Sequence, residues 1–494
     1  MKKIILLFLT ILTVGLSYGQ NQNGIQYVRK NASSPEGQAD LEAMKIALKK
    51  MREMKCENGL SWYYQGAIHN IPDTIKGENK LCPEYQTSEN KLFAWGNCTH
   101  GASEEDKKKA ASLHFLLWHR MYIWYFEKIV RELSGKKDFA LPYWNYGRDN
   151  IMPKKIRQKG SSLFESARYT ILNEGKAIPK GKADTIRLNI RELKNNPFFV
   201  SDAGFSKMME INPHGFMHDL IGGTYAEPKP ELFFNQIYQK EEAGLMALVP
   251  SAGFDPVFWL HHSMVDRIWE SWDRLPGKPR PTLKELEAYP WEYNFIKPNG
   301  EQITYTVKEM YDIVFNLGYT YDSFLYTSDT PPLLASNNLS KEQKIPLQDS
   351  NGKIVWEQKV GKVIKGATFS HKVSNKFTRR TNKILKSEST KPYLILNLNV
   401  VTYKEPDDYY TVFLRYPNKE DEYVGSMTFF GVAHDHGTGE NHTIGEAGVN
   451  LKFSYFITDD LIDSAKNFEI IIKKNGAGDA KVTLEKMSIS RIRQ

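Results

Sequence analysis

Two apolar stretches that carry histidines decide how this chain folds. It reads FLLWHRMYIWYFE over Phe115–Glu127 and DPVFWLHHSMVD over Asp255–Asp266. Apolar residues recur at helical spacing in both, which predicts two buried helices. A buried histidine costs free energy unless its ring nitrogens find partners, and a shared metal ion is one such partner. The two stretches therefore predict a helical domain built around a metal site.

Other histidines lie where they suit the same site. His214 and His218 are four residues apart, so on one helix they share a face and can present two imidazoles to one ion. Consecutive helical residues point about 100° apart, so we expect only one of His261 and His262 to face that ion. His69 ends an aromatic helical segment. Imidazoles without nearby acidic ligands favour copper, zinc or iron over magnesium or calcium.

The chain changes character near residue 325. Residues 40–320 carry helical periodicity, whereas residues 390–494 alternate apolar and polar side chains between Gly, Asn and Asp turns. The polar, partly basic residues 327–389 between them are predicted to form a linker with some strand content. We therefore predict a mainly α domain over residues 20–326 and an all-β sandwich domain over residues 390–494.

Composition and the N-terminus limit the function classes. The 494 residues are 41% hydrophobic and 25% charged, enough for a sizeable core, and the formal charge of +8 is not gathered into a basic run. Nucleic acid is therefore not an expected partner. Residues 1–19 read as a signal peptide, because Lys2 and Lys3 precede an apolar run that is short for a membrane span. We expect a secreted or periplasmic protein without a membrane anchor; an uncleaved anchor is the alternative.

These motifs resemble the two copper signatures of tyrosinases and polyphenol oxidases. Phe115–Glu127 resembles the first signature, and Asp255–Asp266 resembles the second. Glu210–His214 and Tyr319–Tyr321 are similar to segments of the plant enzymes, and Pro392–Arg493 is similar to their C-terminal lid domain. The resemblance implies a four-helix bundle around a dicopper site in the catalytic domain. It also implies a type 3 copper oxidoreductase that oxidises o-diphenols to o-quinones with O2 as co-substrate.

The resemblance also assigns the copper ligands. In the family, the middle ligand of the first copper lies about nine residues before the position of His119. That position is Ala110 in this chain, so the chain departs from the family pattern there. Cys98-Thr99-His100 resembles an element in which the cysteine sulfur is bonded covalently to the histidine ring, so we predict His100 as that ligand, with a thioether to Cys98. His114 is the alternative, but its offset from His119 turns it off that helix face. The remaining predicted ligands are His69 and His119 for the first copper and His214, His218 and His262 for the second.

Further roles follow from the same matching. Glu210 matches a residue that holds a water over the metals, although a plain helix carboxylate is the alternative. Gly215 stands where many monophenol-hydroxylating relatives carry Asn, which favours a catechol oxidase over a full tyrosinase. Asp266, followed by Arg267, could orient the ligand helix, or form an ion pair with no catalytic part. Val249 matches, by distance alone, a side chain that gates the copper pocket.

The cysteines and the C-terminal domain complete the expectations. Cys56 and Cys82 could form a disulfide in an exported protein, or stay reduced. In the family the C-terminal domain covers the copper site until a protease cuts the linker, so an activating protease and small phenols are the expected partners. Two rival functions remain: a haemocyanin-like O2-binding protein with the same copper pair, and a zinc hydrolase, which would lack an evident acidic ligand.

Overall fold

The computed structural model describes residues 26–71, 81–82, 93, 98, 104–198, 203–326, 353–373, 393–432, 448–457 and 467–492. The predicted signal peptide, residues 1–19, lies outside these ranges. So do His100 and most of the predicted linker. Within the described ranges, no helix combines the length and apolarity needed to cross a membrane.

Between residues 35 and 314, the described part of the chain is mainly helical, as predicted. The longest helices are those that contain the two histidine-bearing stretches. In chain order the α-helices are α1 (Pro35–Glu53), α2 (Trp62–His69), α3 (Glu104–Ser134), α4 (Thr170–Asn173), α5 (Lys180–Leu193), α6 (Phe205–Met209), α7 (Phe216–Ile221), α8 (Val249–Ala252), α9 (Pro256–Asp273), α10 (Leu283–Ala288) and α11 (Val307–Val314). Two 3-10 turns, Lys154–Arg157 and Leu245–Ala247, and a π-helical segment, Glu210–Gly215, join them.

Helix α9 begins at a firmly held residue. Asp255 is its N-cap, and the carboxylate accepts a hydrogen bond from the backbone N–H of Val257. Pro256 at the first helical position already has the backbone angle that a helix needs. The guanidinium of Arg168, fully buried, donates to both oxygens of Asp255. Arg168 therefore fixes the start of this histidine-bearing helix to the segment between the 3-10 turn Lys154–Arg157 and α4.

Aromatic contacts join the histidine-bearing helices. Phe126 of α3 stacks on Trp259 of α9 with ring centroids 3.6 Å apart, and Tyr122 lies 4.7 Å from the same indole. Trp62 of α2 contacts both Phe126 and Trp259. Such large buried rings contribute strongly to core stability. The disulfide Cys56–Cys82 lies on the α2 side of this core, which confirms the oxidised alternative.

Short strands complete the helical domain. Strand β1 (Tyr27–Arg29) pairs in parallel with β6 (Tyr319–Tyr321), so the two ends of the domain meet. Two small antiparallel hairpins lie between them in sequence. They are formed by β2 (Phe233–Asn235) with β3 (Lys240–Glu242) and by β4 (Tyr293–Ile296) with β5 (Gln302–Tyr305).

The C-terminal part is the predicted β-sandwich, made of two antiparallel four-stranded sheets with the orders β12-β9-β14-β7 and β11-β10-β13-β8. Each sheet takes an edge strand, β7 or β8, from the segment predicted to be a linker, so the sandwich begins before residue 390. Exposed, alternating edge strands carry a weak apolar signal, which is why the sequence did not separate them from a linker. The strands are β7 (Lys353–Val363), β8 (Thr368–Val373), β9 (Tyr393–Thr402), β10 (Tyr409–Arg415), β11 (Glu422–Met427), β12 (Val449–Ile457), β13 (Phe468–Asn475) and β14 (Val482–Ile492).

Candidate metal centre

Four histidines form the larger of two candidate ligand groups. His214 comes from the π-helical segment, His218 from α7, and His261 and His262 from α9. Each offers one ring nitrogen, and these four atoms lie within 4.8 Å of one another. We call this set the second histidine group. Its residues lie far apart in sequence and meet only because α7 and α9 pack together.

Three histidines of this group have buried ring nitrogens without a hydrogen-bond partner in the described part of the chain. Neither ring nitrogen of His261 or of His262 has a hydrogen-bond partner among the described residues, and Nε2 of His214 also has none. Burial lowers the pKa of all three side chains, and neighbouring imidazoles lower it further, so the rings are neutral. A neutral imidazole with an unshared nitrogen lone pair is the form that binds a metal ion.

The expectation that His261 faces away from the ion is wrong. Its ring centroid lies 5.0 Å from that of His218 and 5.4 Å from that of His214. The rings of His261 and His262 are 5.2 Å apart. Helical geometry fixes only the directions of the two Cβ atoms, and rotation about the side-chain bonds brings both rings to one side. The second histidine group therefore has four imidazoles where the sequence predicted three.

The first ligand group is smaller and contains a sulfur atom. It consists of His69 of α2, His119 of α3 and Cys98, again with one ligand atom each within 4.8 Å. The Cys98 Sγ atom lies 3.6 Å from His119 Nε2. Burial raises the pKa of the Cys98 thiol. Since His100 lies outside the described residues, its ligand role and the thioether stay predictions.

The two groups are neighbours. The rings of His119 and His262 stack with centroids 4.2 Å apart and planes 3° from parallel. His69 lies 5.7 Å from His119 and 6.4 Å from His262. The structure thus brings five of the six predicted ligands into one buried cluster with two separate sets of donor atoms.

His114, the alternative middle ligand, is engaged elsewhere. Its Nδ1 accepts a hydrogen bond from the Tyr293 hydroxyl at 2.7 Å, and its Nε2 donates to the Tyr289 carbonyl, also at 2.7 Å. Its ring stacks on Trp291 with planes 12° apart. Burial lowers the pKa of His114 to about 4. Since both ring nitrogens contact protein groups, the structure does not support this residue as a ligand.

Backbone carbonyls orient four of the candidate ligands through Nδ1. A ligand whose Nδ1–H donates to a carbonyl presents Nε2 to the ion, so these contacts set both tautomer and ring direction. The carbonyl that serves His69 belongs to Val249, whose side chain also lines the cavity beside the histidines. The contacts are His69 with Val249 (3.1 Å), His119 with Phe115 (2.7 Å), His214 with Glu210 (3.2 Å) and His218 with Met246 (2.7 Å).

Glu210 lies at the cavity, in a segment whose helical backbone is interrupted before His214. Asn212 has extended backbone angles, φ −152° and ψ 124°, inside the segment. The residue before a proline avoids helical angles, and Pro213 follows, so the helix bends there. The Glu210 carboxylate lines the cavity and also pairs with Lys207 Nζ at 2.8 Å. Its water-holding role stays a prediction.

A side chain of the C-terminal domain enters this cavity, and the sequence did not predict which one. Phe430 stacks on His218 with ring centroids 4.4 Å apart and planes 21° from parallel. A Cβ atom placed on Gly215 would lie 3.2 Å from the Cβ of Phe430, closer than ordinary contact. The remaining cavity is only about 30 Å³. Gly215 therefore leaves room for Phe430 beside the second histidine group.

Asp266 forms a buried ion-pair network, but not with Arg267. Its Oδ1 accepts from Arg120 at 2.5 Å and its Oδ2 from Arg29 at 3.0 Å. Tyr319 and Tyr321 each donate a hydroxyl hydrogen bond of 2.6 Å to Oδ2. Burial alone would raise the pKa of Asp266, but the two arginines outweigh it, and the pKa is lowered.

Arg267 instead donates to the Ser323 carbonyl at 2.9 Å. Adjacent residues on a helix point in different directions, which explains why the predicted pair does not form. Arg120 is next to His119, and Asp266 lies four residues after His262. The network therefore joins the two ligand helices behind the histidines.

The donor set fits copper. Both groups are rich in imidazole, a ligand that suits copper, zinc and iron, and neither of these two groups, as far as the described residues go, contains a carboxylate. A catalytic zinc site would more usually combine three protein ligands with an open position. A helical domain with two adjacent, buried histidine groups defines a dinuclear metal protein of the imidazole-ligated class.

Known proteins have sequences similar to this chain. The model of the common central domain of tyrosinase matches residues 59–201 and 182–275. A tyrosinase of Hahella sp. is 27% identical over 325 residues, covering 58% of this chain and 61% of the relative. Polyphenol oxidase E of Solanum lycopersicum is 26% identical over 410 residues, covering 76% of this chain and 65% of the relative. The chain thus spans less than two thirds of the length of these two relatives.

Solved structures share the fold of both domains. Latent aurone synthase, a polyphenol oxidase, superposes with a TM-score of 0.60 at 17% identity, covering 96% of this chain and 91% of that one. Latent apple tyrosinase gives a TM-score of 0.56 at 18% identity, with 96% and 99% covered. Residues 59–275 therefore match the central domain of tyrosinase, and the helical domain with its C-terminal β-sandwich has the fold of these solved polyphenol oxidases.

Proposed function

We propose that this protein is a copper-dependent polyphenol oxidase that oxidises o-diphenols to o-quinones with O2. One observation carries the proposal: two buried histidine groups meet at the stacked rings of His119 and His262, beside a cavity. His69, His119, His214, His218 and His262 would hold two copper ions, with His100 as the sixth predicted ligand. When bound, the copper pair supplies the redox chemistry that couples oxidation of the phenol to reduction of O2.

The chain's own residues position the phenol. Phe115 and Trp291 line the cavity beside His119 and His214, so an aromatic ring entering there would pack against apolar walls. Val249 lines the same wall. Its backbone carbonyl accepts a hydrogen bond from His69 Nδ1, and this contact fixes the position of the residue. An apolar, water-poor wall strengthens the electrostatic attraction between a phenolate and the metal-bearing histidines.

Proton transfer falls to Glu210. A phenol must lose its hydroxyl proton as it is oxidised, and Glu210 is the carboxylate that lines the cavity. The Lys207 ammonium, 2.8 Å away, favours the ionised carboxylate, which can orient a water or accept a proton. Gly215 adds no polar side chain that could help Glu210 to deprotonate a monophenol. We therefore propose diphenol oxidation as the main reaction, and a full tyrosinase as the second candidate.

The decisive test is oxygen uptake by copper-loaded protein, with catechol and separately with phenol as the substrate. Uptake with catechol alone supports a catechol oxidase, and uptake with both supports a full tyrosinase. Uptake with neither, also in a variant whose C-terminal domain no longer closes the cavity, would contradict the proposal and favour an O2-binding protein. Metal analysis of the same sample distinguishes copper from zinc.

We further propose that the full chain is latent because its C-terminal domain closes the cavity. A cavity of about 30 Å³ admits a water but not a phenol. The closed state is held by more than Phe430. Thr428 donates its hydroxyl to the Ile211 carbonyl at 2.8 Å, and the Asn212 side chain donates to Ser426 Oγ at 3.0 Å. The C-terminal domain, which acts as the lid, is therefore hydrogen-bonded to the same segment that carries Glu210 and His214.

Latency can be tested with two substitutions and their combination. Phe430→Ala removes the ring that stacks on His218 in the cavity, so uptake with catechol should rise at least about tenfold. Gly215→Asn should also raise uptake, because its side chain must displace Phe430. In the Phe430→Ala background, Gly215→Asn should bring no further rise.

Gly181→Ala is the matched control, since a Cβ there meets nothing within 4 Å. A full chain of wild-type sequence that is already as active as Phe430→Ala would refute latency. Release of the lid by a protease that cuts within residues 327–352 or 374–389 is the proposed natural activation. Export through the signal over residues 1–19 is proposed with it, and N-terminal sequencing of the mature protein tests that step.

A further inference from the structure

We propose that Trp291 selects phenols whose ring substituent carries a hydrogen-bond acceptor, such as a carbonyl or carboxylate oxygen. This inference rests on the proposed oxidase function and names the substrate class of the same cavity. Trp291 lies between α10 and β4, outside the five segments that carry the candidate histidine ligands. It lines the cavity together with His69, His119 and Phe430. Neither copper signature includes this residue.

The indole of Trp291 is held rigidly. It stacks on the His114 ring with centroids 5.9 Å apart and planes 12° from parallel. His114 is itself fixed at both nitrogens, by the Tyr293 hydroxyl and by the Tyr289 carbonyl. These two tyrosines lie two residues before and after Trp291, so the chain segment and its stacking partner form one unit. A preorganised side chain can bind a ligand with little loss of conformational entropy.

The indole N–H has no acceptor among the described residues. Only 7% of the Trp291 surface is exposed, and its Nε1 atom has no hydrogen-bond partner within that part of the chain. A buried donor without an acceptor costs about 1–3 kcal/mol, and such groups are uncommon in folded proteins. The carboxylate that lines the same cavity, Glu210, pairs with Lys207. Phe430, which fills the closed cavity, offers only carbon atoms to this donor.

A substrate that replaces Phe430 can supply the missing acceptor. The reacting hydroxyls must face the histidines, so the substituent on the far side of the ring is the part that reaches the rest of the wall. An oxygen there would accept the Trp291 N–H, and a substituent made of carbon would leave it unpaired. The difference in affinity between the two kinds of substituent is large, because an acceptor oxygen adds one hydrogen bond and leaves no buried donor unsatisfied.

Equilibrium dialysis without oxygen tests the inference independently of turnover. The probes are 3,4-dihydroxyphenylacetate and 4-isobutylcatechol, which have the same shape and differ in the two acceptor oxygens. The protein is the full, copper-loaded chain with Phe430→Ala, compared with the same chain carrying Trp291→Phe as well. We expect Trp291→Phe to weaken binding of the acid about tenfold, as for a hydrogen bond to a charged acceptor, and to change binding of 4-isobutylcatechol less than about twofold.

Two controls make the outcomes distinct. Trp124→Phe removes an indole that lies away from the cavity and donates to the Leu317 carbonyl, so it should leave the ratio of the two dissociation constants unchanged. The methyl ester of the acid tests whether charge or the acceptor itself matters; it should keep part of the preference. An equal loss of affinity for both probes in Trp291→Phe, or no loss for either, would overturn the inference. Absence of catechol oxidation by the copper-loaded Phe430→Ala chain would overturn the proposed function, whatever the ratio of the two dissociation constants.

Discussion

The two ligand groups of this protein are built differently. The second histidine group has four imidazoles, all from residues 214–262, and each of its helical segments is packed in the core. The first group has two imidazoles and the thiol of Cys98. Its histidines, His69 and His119, come from α2 and α3, and the connection between these helices contains Cys82, which is bonded to Cys56 before α2. The second group has one imidazole more than the three predicted for its copper ion, and we predict that His261 acts as a spare ligand.

Loss of one ligand should affect the two groups unequally, and this is the largest effect we expect. Both His69→Ala and His218→Ala, made in the Phe430→Ala chain, should lower oxygen uptake to below about 1% of the value for Phe430→Ala alone, because even changes behind a metal ligand cost about 10–100-fold. Copper content should differ. His218→Ala leaves three imidazoles and should keep close to two ions per chain, whereas His69→Ala should keep one.

Metal analysis after dialysis against a weak chelator measures this difference. His371→Ala, in strand β8 of the sandwich, is the control and should retain both ions. Equal copper loss from the two ligand variants would show that the fourth imidazole gives the second group no advantage.

The ion-pair network of Asp266 joins α3 and α9, which carry ligands of the two groups. Loss of this network should therefore weaken both groups alike. Asp266→Asn removes the carboxylate that Arg29 and Arg120 share. Each arginine keeps one other ion pair, with Glu127 or Glu270, so the free energy of unfolding should fall by about 1.5–3 kcal/mol. Urea unfolding of the variant measures the loss. The exposed pair of Lys308 and Asp312 gives a matched control, since Asp312→Asn should cost less than about 1 kcal/mol. A loss for Asp266→Asn as small as that for the control would contradict the structural role of the network.

His114 adds a dependence on pH beside the first group. Its pKa is about 4 in the folded protein and about 6.5 when unfolded, so protonation favours the unfolded chain. Its contribution is complete above pH 6.5 and is lost as the pH falls towards 4, by about 3 kcal/mol in total. The difference in unfolding free energy between the copper-loaded parent and His114→Gln should shrink by that amount from pH 7 to pH 4. A difference in unfolding free energy that does not change with pH would mean that folding does not lower the pKa of His114.

The smallest effect is expected for His261 alone. His261→Phe keeps the ring volume and leaves three imidazoles, so copper content should stay at two ions per chain. The copper-free variant should melt at the same temperature as the copper-free parent or higher, because two buried nitrogens without partners among the described residues are removed. Combined with His218→Ala, however, the substitution should remove the second ion. If the double variant binds as much copper as His218→Ala, His261 does not act as the spare ligand.

Helical spacing and apolar patterning predicted the helical domain and the sandwich, because both are local signals. The resemblance to tyrosinases implied the five histidine ligands that the structure brings together. It did not predict the bend at Asn212, although Pro213 is a local signal that could have found it. Asp266 was recognised, but its partners Arg29 and Arg120 are 237 and 146 residues away in sequence. Phe430 follows a strand of ordinary composition, and only the docking of two domains gives it a position at the histidines.

The contact between Gly215 and Phe430 also limits how this protein can change over generations. A side chain at position 215 would place its Cβ 3.2 Å from the Cβ of Phe430, so the phenylalanine would have to shift by a few tenths of an ångström. Under the proposed latency, a lineage that acquires such a side chain therefore also alters the fit of the C-terminal domain on the cavity. We expect substrate range and latency to change together over generations.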